Sequence, residues 1–261
     1  MSVIKFGPGG LGPIKEAEKN LEKFHELGLR ACEVEFTYGP YIKSEEDARR
    51  IGKRAEELGI VLSIHAPYFV NLNSKEEEKI EASKKRVLKC CEVASWLGAE
   101  RVVFHAGFYM KSTPEETYEK IKEGVLEVME KVKEKGWDVE ICPELMGKVN
   151  VFGSISEVAR LVDETGCGVC IDVAHVLARY GKYEFARLEK AFRGKKWHVH
   201  FSGIEFGDKG EKKHLDTSIE DWEKVLGWLA KLDKDVVLIC EAPDPVGDSV
   251  VGLGVWEEMK K

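Results

Sequence analysis

Short runs of apolar, largely β-branched residues recur along the chain, separated by longer segments whose apolar positions return every three to four residues. The runs are VIKFGPG from residue 3, ACEVEFTYG from 31, VLSIHAP from 61, RVVFHAG from 101, DVEICPEL from 138, VCIDVAH from 169, WHVHFSG from 197 and VVLICEAPD from 236. Each closes in a polar or Gly/Pro cluster. Their apolar stretches are nearly continuous rather than alternating, which is how parallel strands buried on both faces read. The segments between them carry helix starts: Ser44, Thr113 and Ser218 each place a capping hydroxyl before acidic residues in the positive first turn. Eight such strand–helix units without a linker or low-complexity break predict an α/β fold, a single (β/α)8 TIM barrel spanning residues 1–261 as one domain. A doubly wound open sheet is the runner-up. In a barrel of this kind, chemistry collects at the carboxyl ends of the strands.

Polar residues closing apolar strands are therefore informative, and this chain is rich in them. Of its seven histidines, His65, His105, His175 and His200 fall at or just beyond four different strand ends. Glu144, Asp172 and Glu241 occupy equivalent places, so imidazoles and carboxylates converge on one mouth. Any one of them alone reads as a hydrogen-bonded core residue. Together they do not, because carboxylates buried side by side without cations resist joint ionisation and cost many kcal/mol. Mixed nitrogen and oxygen donors suit zinc, with manganese or iron as substitutes, better than magnesium. The donors are too many for one ion, so a cluster of two or three is expected.

Composition narrows the setting. With 43% hydrophobic and 33% charged residues the chain has material for a large core and no disorder bias. No run reaches the length of a membrane span, and MSVIKFGPGG lacks the apolar stretch of a secretory signal. Seven cysteines, an odd number and several inside apolar runs, suit reduced thiols and a cytoplasmic setting. Cys167 and Cys170 have CxxC spacing without a second pair, so they read as structural. A net charge of −7 argues at first against nucleic acid. Divalent ions concentrated in the mouth would reverse that locally, and the local field matters more than the total.

The wording of the strand ends resembles endonuclease IV, the metal-dependent apurinic/apyrimidinic endonuclease family of base-excision repair, within the xylose isomerase-like TIM barrels. The resemblance runs from about residue 31 to 244. Its most specific pieces are IHAPYFVNL at 64–72, VFHAG at 103–107 and GVCIDVAH at 168–175, with looser matches in CPELMG, the His200 strand and EAPD. The resemblance implies a first metal held by His65, His105 and Glu144, and a second that shares Glu144 and takes Asp172, His200 and Glu241. His175 and His214 would belong to a third. It implies hydrolysis of the phosphodiester 5′ to abasic sites in double-stranded DNA by a metal-bound hydroxide, with Glu144 as the catalytic carboxylate and zinc, two or three ions per chain, as cofactor. The implied protein is a DNA-repair hydrolase with no membrane and no obligate protein partner; the cysteines set it in the cytoplasm, and a standalone barrel of this length is expected to be monomeric.

Two departures qualify the match. Where the family has Asp-x-His, this chain reads Lys212-Lys213-His214, a cation in place of a ligand, with Glu211, Asp208 and Asp216 as candidate replacements from the same loop. The Asn-Asp usual after the seventh-strand histidine is replaced by Ser202-Gly203. For gripping DNA, Tyr68 is the first candidate, being at the position where the family pushes an aromatic ring into the base stack, followed by Phe69 and Tyr41. Two alternatives stand beside the nuclease: a metal-dependent sugar isomerase or epimerase on the same barrel, and a catalytically silent metal-binding paralogue.

Overall fold

A computed structural model describes residues 3–194 and 196–261. The strands are β1 (Val3–Pro8), β2 (Ala31–Glu35), β3 (Val61–His65), β4 (Arg101–Phe104), β5 (Glu140–Pro143), β6 (Cys170–Asp172), β7 (Lys196–Phe201), β8 (Gly203–Gly207), β9 (Gly210–Leu215) and β10 (Asp235–Cys240). The helices are α1 (Ala17–Glu26), α2 (Glu45–Glu57), α3 (Glu77–Leu97), α4 (Pro114–Glu134), α5 (Ile155–Thr165), α6 (Val173–Tyr180), α7 (Phe185–Ala191), α8 (Ile219–Leu229) and α9 (Pro245–Met259). All eight apolar runs contain a parallel strand. They form two four-stranded sheets, β2-β3-β4-β5 and β1-β10-β7-β6, joined at the seams by the bridges Gly9–Glu33 and Glu144–Cys170. That closes the TIM barrel.

At the first seam the backbones approach so closely that a Cβ on Gly7 would overlap the Ala31 carbonyl oxygen. Only glycine lets β1 lie there. The predicted helix starts are in place: Ser44 caps α2, Thr113 and Glu116 form a reciprocal capping box on α4, and Ser218 caps α8. Between the strands and the helix shell runs one large apolar core, anchored by fully buried Trp197, Trp222, Phe6 and Phe104. The seven cysteines are buried free thiols. Among the described residues no helix is long and apolar enough to cross a membrane.

The alternation of one strand with one helix fails twice among the described residues: β6 is followed by both α6 and α7, and β7 by a hairpin. After β7 the chain makes the antiparallel hairpin β8–β9 before α8 begins. This hairpin lies outside the barrel ladder, and its mostly half-buried or exposed residues include the polar stretch Glu211-Lys212-Lys213-His214. Beyond Ile204 and Phe206 such a ribbon has no apolar alternation from which a strand could be read.

Candidate metal centre

Parallel register sets the strand ends at one level: His65 pairs with Glu35 across β2–β3, and Asp172 with His200 across β6–β7. His105, Glu144 and Glu241 follow directly on β4, β5 and β10. Asp172 both closes β6 and caps α6, with no loop between. Its Oδ1 accepts from the His175 amide at 2.5 Å, which fixes His175 in the first helical turn, over the same mouth.

All eight residues singled out as ligand candidates meet there, in three groups whose donor atoms lie within 4.8 Å of one another: His65, His105 and Glu144; Glu144, Asp172, His200 and Glu241; and His175, Glu211 and His214. Glu144 is common to the first two. Its Oε2 lies 3.2 Å from His65 Nε2 and 3.0 Å from His105 Nε2, while Oε1 lies 3.0 Å from His175 Nδ1 and 3.7 Å from His200 Nδ1. Glu241 Oε1 stands 3.2 Å from His200 Nδ1.

The rings are held in defined orientations from behind. His65 Nδ1 donates to the Ala66 carbonyl at 2.7 Å and His175 Nδ1 to the Leu145 carbonyl at 3.0 Å. His214 Nδ1 lies 2.7 Å from Ser202 Oγ, whose own proton goes to the Gly203 carbonyl, so the imidazole is the donor. Each of these three therefore turns Nε2 to the mouth, the usual arrangement behind a metal-ligating imidazole.

Charge is concentrated and buried. Burial pushes the pKa of Glu144 up, but the facing His105, His175 and His200 outweigh it and hold the carboxyl well below its ordinary range. Asp172 goes the other way: burial, with Glu241 and Glu144 adding, pushes it well above, despite His175. His65, which burial alone would lower, is raised to about 10 by the hydrogen bond to Glu144 and the charge of Glu35. Buried Glu144 Oε1, Asp172 Oδ2 and His200 Nδ1 have no hydrogen-bond partner. All three are donor atoms aimed into the cluster, and a cation between them would satisfy them.

The third group resolves the misplaced lysine. In β8–β9, Glu205 pairs with Lys213 but Phe206 pairs with Glu211, so Lys212 is an extra residue in a β-bulge. A bulge turns two consecutive side chains the same way and re-aims the next. Lys212 and Lys213 both point outward to Glu205, at 3.3 and 3.4 Å, and Glu211 comes in beside His214, 3.3 Å from His175 Nε2. Gly147 leaves room, since a Cβ there would fall 2.8 Å from that of Glu211. Glu211, one of three candidate replacements, occupies the place.

Above the cluster is a cleft of about 300 Å³ lined by Glu35, Tyr68, Phe108, Lys148 and the outer ligand candidates. Tyr68 stands at its rim, 50% exposed. Phe69 packs against the Tyr68 ring at 5.5 Å and under the Arg86 guanidinium at 4.7 Å. Tyr41 does not reach the cleft. Its ring packs edge-on against Phe36 at 5.3 Å and its hydroxyl donates to the Gly12 carbonyl at 3.0 Å, so it braces the loop. Tyr38, 81% exposed and 5.9 Å from the Tyr68 ring, is the aromatic of that loop at the rim. Also missed were Glu33 and Glu35, whose i, i+2 spacing inside the apolar run ACEVEF was the available signal, since it aims both carboxylates into the barrel.

A family model described as xylose isomerase-like TIM barrel matches residues 21–259. An uncharacterized protein of Methanocaldococcus jannaschii is 35% identical over 273 residues, covering 98% of each chain. A probable endonuclease 4 of Geobacillus is 28% identical over 172 residues, 56% of this chain and 56% of that protein, so the match spans little over half of either. Among solved structures, endonuclease IV from Thermus thermophilus superposes with a TM-score of 0.71 at 23% identity, covering 98% of both chains. D-psicose 3-epimerase superposes with a TM-score of 0.68 at 14% identity, covering 99% of this chain and 97% of that one. Identities this low speak for the fold alone.

Proposed function

The chain belongs to the xylose isomerase-like TIM barrel family, and on that premise we propose that it is a metal-dependent endonuclease that hydrolyses the phosphodiester 5′ to abasic sites in DNA. One observation carries the reading: three donor groups, two of them sharing Glu144, with buried carboxylate and imidazole atoms aimed inward and unsatisfied. Their mixture of nitrogen and oxygen fits two or three zinc ions, or manganese or iron in their place. When bound, such ions neutralise charge on a phosphate and acidify water.

The chain's own residues do the rest. His65, His105 and Glu144 hold the outer position, Glu144 with Asp172, His200 and Glu241 the deep one, and His175, Glu211 and His214 the third. Glu144 divides its two oxygens between groups, so it fixes their spacing. Tyr68, with Phe69 behind it and Tyr38 beside it, offers a ring to an unstacked base next to the lesion. Lys148, in the cleft wall 3.9 Å from Glu211, places a cation where a phosphate would pass. We read residues 1–261 as one barrel domain acting in the cytoplasm on double-stranded DNA.

A second reading is kept for one observation. Glu35 lines the cleft and its carboxylate makes no hydrogen bond among the described residues, which is what an enolising sugar isomerase or epimerase needs of a base. The test is a duplex carrying one abasic analogue, incubated with metal-replete protein beside an undamaged duplex and a chelator-stripped control. A cut 5′ to the lesion that zinc or manganese restores is expected. No cut by a protein with confirmed bound metal would refute the nuclease; epimerisation of a ketose by that sample would install the sugar reading, and inertness in both assays the silent paralogue.

A further inference from the structure

His200 differs from the other imidazoles of the centre. Three of them are pinned through Nδ1 by a carbonyl or hydroxyl and present Nε2. His200 is reversed: its Nδ1 faces Glu241 and Glu144, and its Nε2 points down into the barrel, where no carbonyl meets it. What lies there is Glu33, fully buried on β2 across the barrel from β7, with Oε1 2.9 Å from His200 Nε2.

We propose that Glu33 is the positioning residue of this centre, setting His200 so that Nδ1 is the nitrogen offered to a cation. The proposal rests on the metal-dependent reading above. Glu33 is itself held. Its Oε2 accepts from Ser63 Oγ at 2.6 Å and from His198 Nε2 at 2.9 Å, so the carboxylate is fixed by β3 and β7 while Oε1 is left for one further donor. Oε1 and His200 Nε2 are both buried without a hydrogen bond, and the 2.9 Å approach between them is an ion-pair contact. Cys170 Sγ lies beside the same ring, but sulfur is a weak acceptor next to a carboxylate.

A carboxylate behind the ring does more than a carbonyl. It makes Nδ1 a stronger donor, and a cation on the far side of the imidazole compensates a buried charge that would otherwise be costly. With a cation held by the deep group, Glu33 and His200 would complete a carboxylate–imidazole–metal relay running from the barrel interior to its mouth.

The experiment is competition of Co2+ and Zn2+ against a chromophoric chelator, with the Co2+ absorption spectrum, for the wild type and Glu33→Gln. The amide keeps the shape and removes the charge. Ions bound through His200 are expected to bind about 10- to 100-fold more weakly, with an altered Co2+ spectrum. A purely structural role predicts instead a lower Tm of the chelated variant with affinity and spectrum unchanged, and that result overturns the proposal. A wild type that binds no ion refutes the metal reading and the proposal together, so the two failures are distinguishable. Should Glu33→Gln not fold, imidazole 15N–1H correlation spectra of the Zn2+-loaded wild type decide: a proton on His200 Nε2 is expected, and a proton on Nδ1 overturns it.

Discussion

Glu211 Oε2 stands 3.3 Å from His175 Nε2, although the spacing of the flanking motif points to position 212. The bulge at Lys212 produces the shift, because one extra residue in β9 exchanges the faces of everything on one side of it. An outward lysine and an inward glutamate are thus a single structural change, and the departure from Asp-x-His leaves a carboxylate in the third group.

Replacing Glu211 by Ala is accordingly expected to lower the metal content of dialysed protein by about one ion per chain. Lys212→Ala is expected to leave it unchanged. Equal metal content in the two variants, read by elemental analysis, would show that Glu211 is not a ligand.

Glu144→Gln removes the charge that the outer and deep groups share. Metal retention should fall in both, and incision of an abasic duplex by at least about 10²- to 10³-fold, the scale of losing a central electrostatic element of a transition-state site. The chelated variant should still give the far-UV circular dichroism of the wild type. Near-normal turnover would sink the bridging role.

Tyr68→Ala should weaken binding to an abasic duplex by about 1–3 kcal/mol, the worth of a base–aromatic stack, with metal content intact. Tyr41→Phe should leave DNA binding alone and cost about 1 kcal/mol of stability, since what it loses is the hydrogen bond to Gly12. Fluorescence anisotropy and urea unfolding separate these outcomes.

Glu35 carries a pH dependence of definite sign. Burial first, with Glu33 and Glu241 adding to it against the opposing His65, pushes its carboxyl from 4.5 up to about 7. Below pH 4.5 the group is protonated folded and unfolded, and costs nothing; above pH 7 it is charged in both states and the folded state bears the penalty. Chelated protein should therefore lose stability from this group as pH rises through that window. Glu35→Gln should gain up to about 3 kcal/mol at pH 8 and nothing at pH 4, by urea unfolding. A gain independent of pH would contradict the assignment.

The barrel was legible because each strand is a compact apolar run closed by a polar residue, and closure at strand ends is also what marked His65, His105, Glu144, Asp172, His200 and Glu241. His175, just past the end of its strand, was marked in the same way, and only His214 followed from the family wording. The remainder was hidden for local reasons. A bulge leaves no trace in a polar ribbon, so Glu211 could be named only as one of three candidates. Tyr38 and Tyr41 share a loop and a residue type, and only packing against Phe36 tells which ring turns inward. Glu33 sat within a strand already identified, where the apolar run drew more notice than the acids breaking it.

The β8–β9 hairpin stands outside the barrel ladder, and two long backbone hydrogen bonds, Lys209 carbonyl to Val149 at 3.3 Å and Gly147 carbonyl to Glu211 at 3.4 Å, tie it to the loop after β5. Its inner edge carries Glu211 and His214, while His175 belongs to α6 on the frame. Whatever joins those three side chains is a latch as well as a site. A cation held at the third position would cross-link one wall of the cleft to its frame, adding to the packing of the hairpin on α6.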